Sequence, residues 1–262
     1  MKTNNSGQII KKYVSSPLRY PGGKSRAVST IRQYIPEDID AICSPFIGGG
    51  SIELSLAADG IKVYGADVFS PLIDFWKELK KNPVSLSKIV RGFYPLSRTK
   101  FYALQKSYTT IKDKTERAAI FYVLNRASYS GTTLSGGMSP EHPRFTLSGI
   151  NKLRDYCLPR NFNIRCCDYL AMLKQHDDKF LYLDPPYANG GKLYGQRGDC
   201  HAGFNHEQLA EVLHKRDGWI LSYNDCTSIR KMYKGYKFVK PKWAYGMNGN
   251  KKSKEILILN VR

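Results

Sequence analysis

The segment KFLYLDPPYANGG, residues 179–191, ends an apolar run on Asp184, two prolines and Tyr187. Each proline fixes its own φ and lacks an N–H donor, and a residue before a proline is pushed toward an extended conformation. The turn is therefore stiff, and we expect the Asp184 carboxylate, the Pro185 carbonyl and the Tyr187 ring to lie together. Two hydrogen-bond acceptors beside a flat ring would fit a planar group that carries an NH₂. The alternative is an ordinary turn, because Asp-Pro and Pro-Pro pairs are common in turns.

A second stretch, PFIGGGSIEL, places three glycines at positions 48 to 50 directly after a short apolar run. Glycine lets the main chain approach a ligand closely. The third glycine of a dinucleotide fingerprint is missing, since Glu53 stands there, so a diphosphate is not the expected ligand. Asp67 closes the next apolar run, where an acid bonds ribose hydroxyls in nucleotide-binding sheets. This pattern predicts an adenosine-type cofactor without a diphosphate, unless the glycines form only a turn.

RYPGGKS, residues 19–25, ends in Gly-Lys-Ser and so resembles a P-loop. That motif requires a glycine where Leu18 stands and a strand before it, and neither is present. ATP hydrolysis is therefore disfavoured. We expect Lys24 and the backbone amides of this loop to help hold the carboxylate end of the cofactor.

The elements that must position these residues alternate between strands and helices. Strand, glycine turn, helix, strand and acid follow one another over residues 41–67, which is the first half of a doubly wound α/β sheet. The alternation resumes with FNIRCCDYLAML, and WILSYND and EILILNV are further strands. Between them, periodicity predicts helices in SPLIDFWKELKKNP and TERAAIFYVLNRA. We therefore predict a sheet domain of residues 1–68 and 157–262, with helices on both faces, and an inserted helical lobe of residues 69–156.

Charge and composition narrow the class of protein. Lysine and arginine number 41 against 22 acids, a formal net charge of +19, which favours a polyanionic partner over a merely solvated basic surface. The chain contains no apolar run long enough to span a bilayer, and its first residues do not form a signal peptide. We expect an intracellular, soluble protein. The six cysteines lack any CxxC pair, so we predict reduced thiols and no metal site.

Together these motifs resemble the adenine-N6 DNA methyltransferases related to Dam, the class α enzymes with a DPPY motif. RYPGGK, PFIGGGSIEL, GAD, LNRASYSG and DPPY occur in the family's order, and GFNHEQLAEVL, ILSYND and EILILN are also similar. The resemblance covers residues 17–260. It implies a Rossmann-like methyltransferase sheet, an inserted target-recognition lobe, double-stranded DNA as partner and S-adenosylmethionine as cofactor.

The chemistry that the resemblance implies agrees with the prediction from the DPPY turn. The N6 of adenine is a poor nucleophile because its lone pair is delocalised into the ring. Asp184 and the Pro185 carbonyl would accept its two N–H bonds and stabilise the charge that develops as nitrogen attacks the methyl group. The adenine must first flip out of the duplex, and stacking on Tyr187 would recover part of that cost. Asp184, Pro185, Pro186 and Tyr187 are the predicted catalytic residues.

The resemblance also assigns binding residues. Asp67 aligns with the ribose ligand, Asp184 with a residue that touches both ligands, and Asp168 with the surroundings of the cofactor's adenine. The predicted cofactor-binding residues are Tyr20, Gly22, Gly23, Lys24, Phe46, Gly48, Gly49, Gly50, Asp67, Asp168 and Asp184. The predicted DNA-binding residues are Arg126, Tyr129, Ser130, Thr132, Thr133, Lys192 and Arg197.

Alternatives stay open at this point. The loop that begins near residue 128 could be a solvated linker, and residues 188–204 could be disordered rather than a lid. N4-cytosine and RNA methylation also act on exocyclic amines, although an acid at the first position of the tetrapeptide favours adenine. A catalytically silent DNA-binding protein is a further possibility, against which the intact DPPY and glycine loop argue. The sequence does not reveal the recognition site or the oligomeric state, for which we expect a monomer or a weak dimer.

Overall fold

A computed structural model describes residues 15–139, 144–188, 203–241, 244–245, 251–252 and 255–261. Its helices are α1 Val28–Arg32, α2 Ser51–Ala58, α3 Ser70–Lys81, α4 Pro83–Arg91, α5 Arg98–Ser107, α6 Lys114–Ala127, α7 Leu147–Arg154, α8 Tyr169–Gln175, α9 His206–Leu213 and α10 Thr227–Met232. Its strands are β1 Ala41–Ser44, β2 Lys62–Asp67, β3 Phe162–Cys166, β4 Phe180–Leu183, β5 Trp219–Asn224, β6 Lys237–Val239, β7 Ala244–Tyr245, β8 Lys251–Lys252 and β9 Glu255–Asn260.

Seven strands form one sheet in the order β3-β2-β1-β4-β5-β9-β6. The first five are parallel, while β9 runs antiparallel to both of its neighbours. Every residue of β1 and of β4 is buried, as expected for central parallel strands that are covered by helices on both faces. This mixed α/β architecture, with helices on both faces of a seven-stranded sheet, confirms the predicted fold class.

The order of the strands determines where a cleft can form. The chain leaves β1 toward β2 on one side, whereas β4 lies directly on the other side of β1. Ligands bind at such a reversal, outside the carboxyl ends of the strands. The glycine loop follows β1 and the DPPY turn follows β4, so both predicted motifs lie at this point of the sheet.

Two hydrophobic clusters cover the two faces of the sheet. One joins α1 and α2 to the helices that the chain inserts between β2 and β3, with Trp76, Phe121 and Phe162 among its largest buried side chains. The other contains α8 and α9 with Trp219 and Tyr223 from β5. The inserted segment runs from α3 to α7. Its assignment as a target-recognition domain stays a prediction.

Local signals explain most element boundaries. Asn205 caps α9, because its side chain accepts a hydrogen bond from the backbone N–H of Gln208 at 2.9 Å. Helix α1 ends at Arg32, although the spacing of Val28, Ile31 and Ile35 would suit one face of a longer helix. Ile35 is buried beyond the helix, and Pro36 disfavours a helical conformation for the residue before it.

Candidate active site

The RYPGGK loop before α1 meets the DPPY turn at the carboxyl end of β4. Asp184 follows the final residue of β4, and the Lys24 ammonium lies 2.8 Å from each of its carboxylate oxygens. The same ammonium donates to the Tyr187 hydroxyl and to the Gly22 carbonyl, both at 2.9 Å. Lys24 is only 4% exposed. Because three of its partners are fixed by turns, the lysine joins the RYPGGK loop to the DPPY turn.

A fourth side chain completes this group. The Tyr187 hydroxyl donates to Glu255 Oε1 at 2.5 Å, and that oxygen lies 3.7 Å from the Lys24 ammonium. We refer to Lys24, Asp184, Tyr187 and Glu255 as the catalytic cluster. Sequence reasoning missed Glu255, because EILILN was interpreted only as a closing strand. An acid that opens an otherwise apolar buried strand was the signal that could have identified it.

The electrostatics of the catalytic cluster set the state of Asp184. Burial raises the pKa of its carboxyl group, and the negative charge of Glu255 raises it further, while the Lys24 ammonium and its hydrogen bond oppose both effects. Each carboxylate oxygen carries more than one lone pair, so both can accept from Lys24 and still accept from a ligand. The arrangement therefore offers an N–H donor a half-buried carboxylate that the Lys24 ammonium already aligns.

The glycine loop lies beside this cluster and has the backbone that its sequence requires. Gly48 and Gly50 adopt left-handed conformations, with φ of 45° and 64°. A Cβ at Gly48 would lie 2.8 Å from the Tyr20 ring, and one at Gly49 would lie 2.9 Å from the Tyr20 Cβ. Larger side chains would therefore collide with Tyr20, which packs across the loop.

Asp67 connects the glycine loop to the end of β2. Its carboxylate accepts from the backbone N–H of Gly48 at 3.3 Å and from that of Phe69 at 2.9 Å. Burial raises the pKa of Asp67 to about 6, although these backbone donors oppose the rise. Glu53, in the first turn of α2, accepts from the Ser44 hydroxyl, and its burial raises its pKa to about 7. The carboxyl edge of the sheet thus holds three buried acids, at positions 53, 67 and 255, together with the half-buried Asp184.

An aromatic wall stands next to the glycine loop. The Phe46 ring centroid lies 5.5 Å from that of Tyr169 and 5.6 Å from that of Phe204. Asp168 caps α8 by accepting from the Leu170 N–H at 2.8 Å, and its side chain is exposed. Tyr169 was expected from the sequence beside Asp168, whereas Phe204 extends the site beyond the predicted residues, and flat apolar rings of this kind can receive an aromatic base.

The predicted DNA-binding residues of the helical lobe occupy a turn at residues 128–133, which we call the lobe turn. Tyr129 is 65% exposed, Ser130 is exposed, and Thr132 is half-buried. Thr133 is only 4% exposed, and its hydroxyl is hydrogen-bonded to Asn125 and Gly131. The structure therefore favours Tyr129 and Ser130 over Thr133 for direct contact with a ligand.

Asn125 holds the lobe turn in place. This residue is fully buried, accepts from the Arg19 N–H at 2.9 Å and donates to the Arg19 carbonyl at 2.7 Å. It also donates to the Gly131 carbonyl and the Thr133 hydroxyl, both at 3.2 Å. A Cβ at Gly131 would lie 2.1 Å from the Arg19 carbonyl oxygen, so this contact requires glycine. The residues just before RYPGGK are thereby fixed to the helical lobe.

Arg126 links the same segments through backbone carbonyls. Its guanidinium donates to the carbonyl of Arg144 at 3.1 Å and to that of Pro17 at 3.4 Å. These bonds give Arg126 a structural role in addition to the predicted contact with DNA. Lys192 and Arg197, the remaining predicted DNA-binding residues, lie outside the described part of the chain.

Comparison with known proteins identifies the family. The model of the D12 class N6 adenine-specific DNA methyltransferases matches residues 20–247, which is most of the chain. The chain belongs to this family. The predicted resemblance to Dam-like enzymes is thereby confirmed, and the chain is an adenine-specific DNA methyltransferase. The match includes the RYPGGK loop, the glycine loop, the helical lobe and the DPPY turn.

Named relatives of this D12 class methyltransferase match along most of their length. Type II methyltransferase M1.LlaDCHI of Lactococcus lactis subsp. cremoris is 23% identical over 269 residues, 92% of this chain and 94% of that protein. The DNA adenine methylase of Haemophilus influenzae is 23% identical over 244 residues, 86% of this chain and 85% of that protein. Type II methyltransferase M.CviBI of Paramecium bursaria Chlorella virus NC1A is 22% identical over 236 residues, with 84% and 86% covered.

Two further observations concern the described part of this methyltransferase. Within it, none of the helices has the length and apolar character that crossing a membrane requires. The same residues contain no group of three or more histidine, cysteine or acidic side chains placed to hold a metal ion. Five cysteines in the described ranges are free thiols: Cys43, Cys157, Cys166, Cys167 and Cys226.

Proposed function

We propose that this chain is a site-specific DNA methyltransferase that transfers the methyl group of S-adenosylmethionine to N6 of an adenine flipped out of a short duplex site. The catalytic cluster is the observation that carries the proposal. The half-buried Asp184 carboxylate, aligned by Lys24 and followed by a rigid Pro-Pro turn and a tyrosine, is suited to a planar aromatic amine. Its position at the strand-order reversal supports binding of an adenosine-type cofactor alongside.

The residues beside the catalytic cluster fit the cofactor. S-Adenosylmethionine supplies a sulfonium-activated methyl group when it is bound. Tyr20, which packs on Gly48 and Gly49, would form part of the cofactor pocket, and Asp67 at the end of β2 would accept hydrogen bonds from ribose hydroxyls. Phe46 and Tyr169 would contact the adenine ring of the cofactor. Asp168 caps a helix from an exposed position, where it would stand at the edge of that pocket.

The protein side chains would then act on the target base. Asp184 would accept one N–H of the exocyclic amine, and the Pro185 carbonyl would accept the other, which draws the nitrogen lone pair out of conjugation and stabilises developing positive charge. Lys24 would keep the carboxylate oriented through its two 2.8 Å contacts. The ring of Tyr187 would stack on the flipped base, and such stacking is worth about 1–3 kcal/mol. This mechanism requires no covalent intermediate.

The helical lobe would supply sequence recognition. Tyr129 and Ser130 project from the lobe turn, and the net charge of +19 favours binding to the phosphate backbone. Residues 69–156 would then form a target-recognition domain inserted into the catalytic domain.

Transfer of a labelled methyl group tests the proposal. Wild-type protein is incubated with methyl-tritiated S-adenosylmethionine and unmethylated plasmid DNA, and the DNA is digested to nucleosides. We expect label in N6-methyladenine, at one short sequence identified by sequencing the methylated plasmid. Label in N4-methylcytosine, label only when RNA replaces DNA, or no transfer at all would each contradict the proposal. Asp184→Asn is the matched inactive control.

A further inference from the structure

The carboxylate of Glu255 lies against the proposed stacking residue rather than in solvent. Glu255 is only 8% exposed, and its Oε1 accepts from the Tyr187 hydroxyl at 2.5 Å. The hydroxyl in turn accepts from the Lys24 ammonium at 2.9 Å. A phenol has one proton to donate, and of the two carboxylates near it the Glu255 Oε1 at 2.5 Å is much closer than the Asp184 Oδ1 at 3.4 Å, so Glu255 is the acceptor. A hydrogen bond between a phenol and a buried carboxylate is charge-assisted and among the stronger side-chain bonds.

The antiparallel strand β9 places Glu255 there. Its first residue pairs with Asn224, the last residue of β5. The Asn224 side-chain oxygen accepts from the backbone N–H of Ala188 at 3.1 Å. The ends of β5 and β9 therefore hold the segment after the Pro-Pro turn at two points, the Ala188 backbone and the Tyr187 hydroxyl. Glu255 is thus anchored on a rigid element that carries no part of the DPPY turn.

We propose that Glu255 is a positioning residue for methyl transfer, acting through the Tyr187 hydroxyl. The proposal rests on the function proposed above. The hydroxyl lies on the long axis of the tyrosine ring, so a bond to it fixes the direction in which the ring projects from the turn. The Tyr223 ring, whose centroid is 6.0 Å away, packs beside it. With its direction fixed, the ring is ready to stack on a flipped base without losing rotamer freedom on binding.

A double-mutant cycle separates this role from simple packing. The variants are Glu255→Ala, the near-isosteric Glu255→Gln, Tyr187→Phe and the double variant Glu255→Ala/Tyr187→Phe, with Glu211→Gln on the exposed surface of α9 as the control. For each, kcat and the KM for S-adenosylmethionine are measured on DNA that the wild type methylates. Melting temperatures show which variants are folded. If Glu255→Ala does not fold, Glu255→Gln still tests the proposal.

The expected result is a loss of turnover without a loss of cofactor binding. Glu255→Ala should lower kcat roughly 10- to 100-fold, and Glu255→Gln should lie between it and the wild type, because an amide oxygen still accepts from the hydroxyl without charge. KM for the cofactor should change less than about threefold. In the Tyr187→Phe background, Glu255→Ala should lower kcat little further, because the hydroxyl through which Glu255 acts has been removed.

Fluorescence gives a second readout that packing alone would not move. When 2-aminopurine replaces the target adenine, stacking on Tyr187 quenches the flipped base, so Glu255→Ala should give brighter emission than the wild type in the complex. Wild-type values of kcat in Glu255→Gln and Glu255→Ala, fully multiplicative losses in the double variant, or unchanged emission would overturn the proposal. Absence of methyl transfer by the wild type would instead contradict the proposed function itself.

Discussion

The catalytic cluster and the lobe turn are both buried polar networks, but they are built from different groups. Ionisable side chains meet in the cluster, where Lys24 contacts Asp184 at 2.8 Å and Glu255 at 3.7 Å. In the lobe turn a neutral amide, Asn125, bonds mainly to backbone atoms of Arg19 and Gly131. Burying ions is costly unless they are paired, whereas a satisfied amide is tolerated readily. We infer that the catalytic cluster serves the reaction, whereas the Asn125 network maintains the conformation of the lobe turn.

The two networks are joined by one short piece of chain. Arg19 is held by Asn125, and Lys24 follows five positions later in the same loop. The glycine loop is included as well, because Tyr20 packs across Gly48 and Gly49. A change in the lobe turn can therefore reach the cofactor side of the cleft without any direct contact with it.

The largest expected effect comes from breaking the cluster at Asp184. Asp184→Ala removes the acceptor of the amine N–H and should lower kcat by roughly 10³-fold or more, since charge development in the transition state loses its stabilisation. Duplex binding should be largely intact because the lobe turn is unchanged. Turnover is measured by labelled methyl transfer and binding by fluorescence anisotropy.

Asp184→Asn serves as the control for shape, since it keeps the size of the side chain but not its charge. It should be nearly as inactive as Asp184→Ala. Near-normal turnover in either variant would remove Asp184 from the chemistry. Loss of DNA binding in both would instead show that the two regions are not separable.

The substitution Asn125→Ala should have a smaller effect, and on stability rather than directly on the chemical step. Removing the amide leaves buried backbone groups of Arg19 and Gly131 without partners, which should lower the free energy of unfolding by about 2–4 kcal/mol. In the folded fraction, KM for DNA should rise more than KM for the cofactor. Urea denaturation and steady-state kinetics measure the two effects, with exposed Asn151→Ala as the matched control. A variant with normal stability would contradict the structural role of Asn125.

The smallest expected effect concerns Glu53, a buried acid that belongs to neither network. Its pKa is raised to about 7 from an ordinary 4.5, so the folded state holds a proton that the unfolded state loses as pH rises between these values. Wild-type stability is therefore lost over that window. Glu53→Gln avoids the loss, and its advantage should grow from near zero at pH 4.5 to about 1–3 kcal/mol above pH 7.

Chemical denaturation across pH 4.5 to 8 measures this difference. The matched control is Glu211→Gln on α9, for which we expect no growth of the difference across the window. A pH-independent effect of Glu53→Gln would show that Glu53 is ionised throughout in the folded protein.

Sequence reasoning predicted the sheet and its motifs because their signals are local. The buried runs that became β1, β4 and β5 end at turns, and the glycines after β1 mark a loop. The helices α4, α5 and α7 were missed, although each is at least as long as α2, and their capping residues Asn82, Ser97 and Thr146 were the local signals that could have identified them.

Contacts between side chains that are far apart in the sequence could not be predicted from local signals. Lys24 and Asp184 are 160 positions apart, and the fold brings the loop before α1 to the carboxyl end of β4. The position of Glu255 in the site results from the antiparallel pairing of β9 with β5, which no local sequence pattern predicts. The sequence motifs located the cleft, while the strand order determined which side chains face one another within it.

A crystal structure of the protein with S-adenosylhomocysteine and a methylatable duplex tests the central claim most directly. We predict an extruded adenine whose N6 lies within hydrogen-bonding distance of the Asp184 carboxylate and the Pro185 carbonyl, with its ring against Tyr187. An adenine that stays stacked in the duplex, or one bound away from the DPPY turn, would contradict the account.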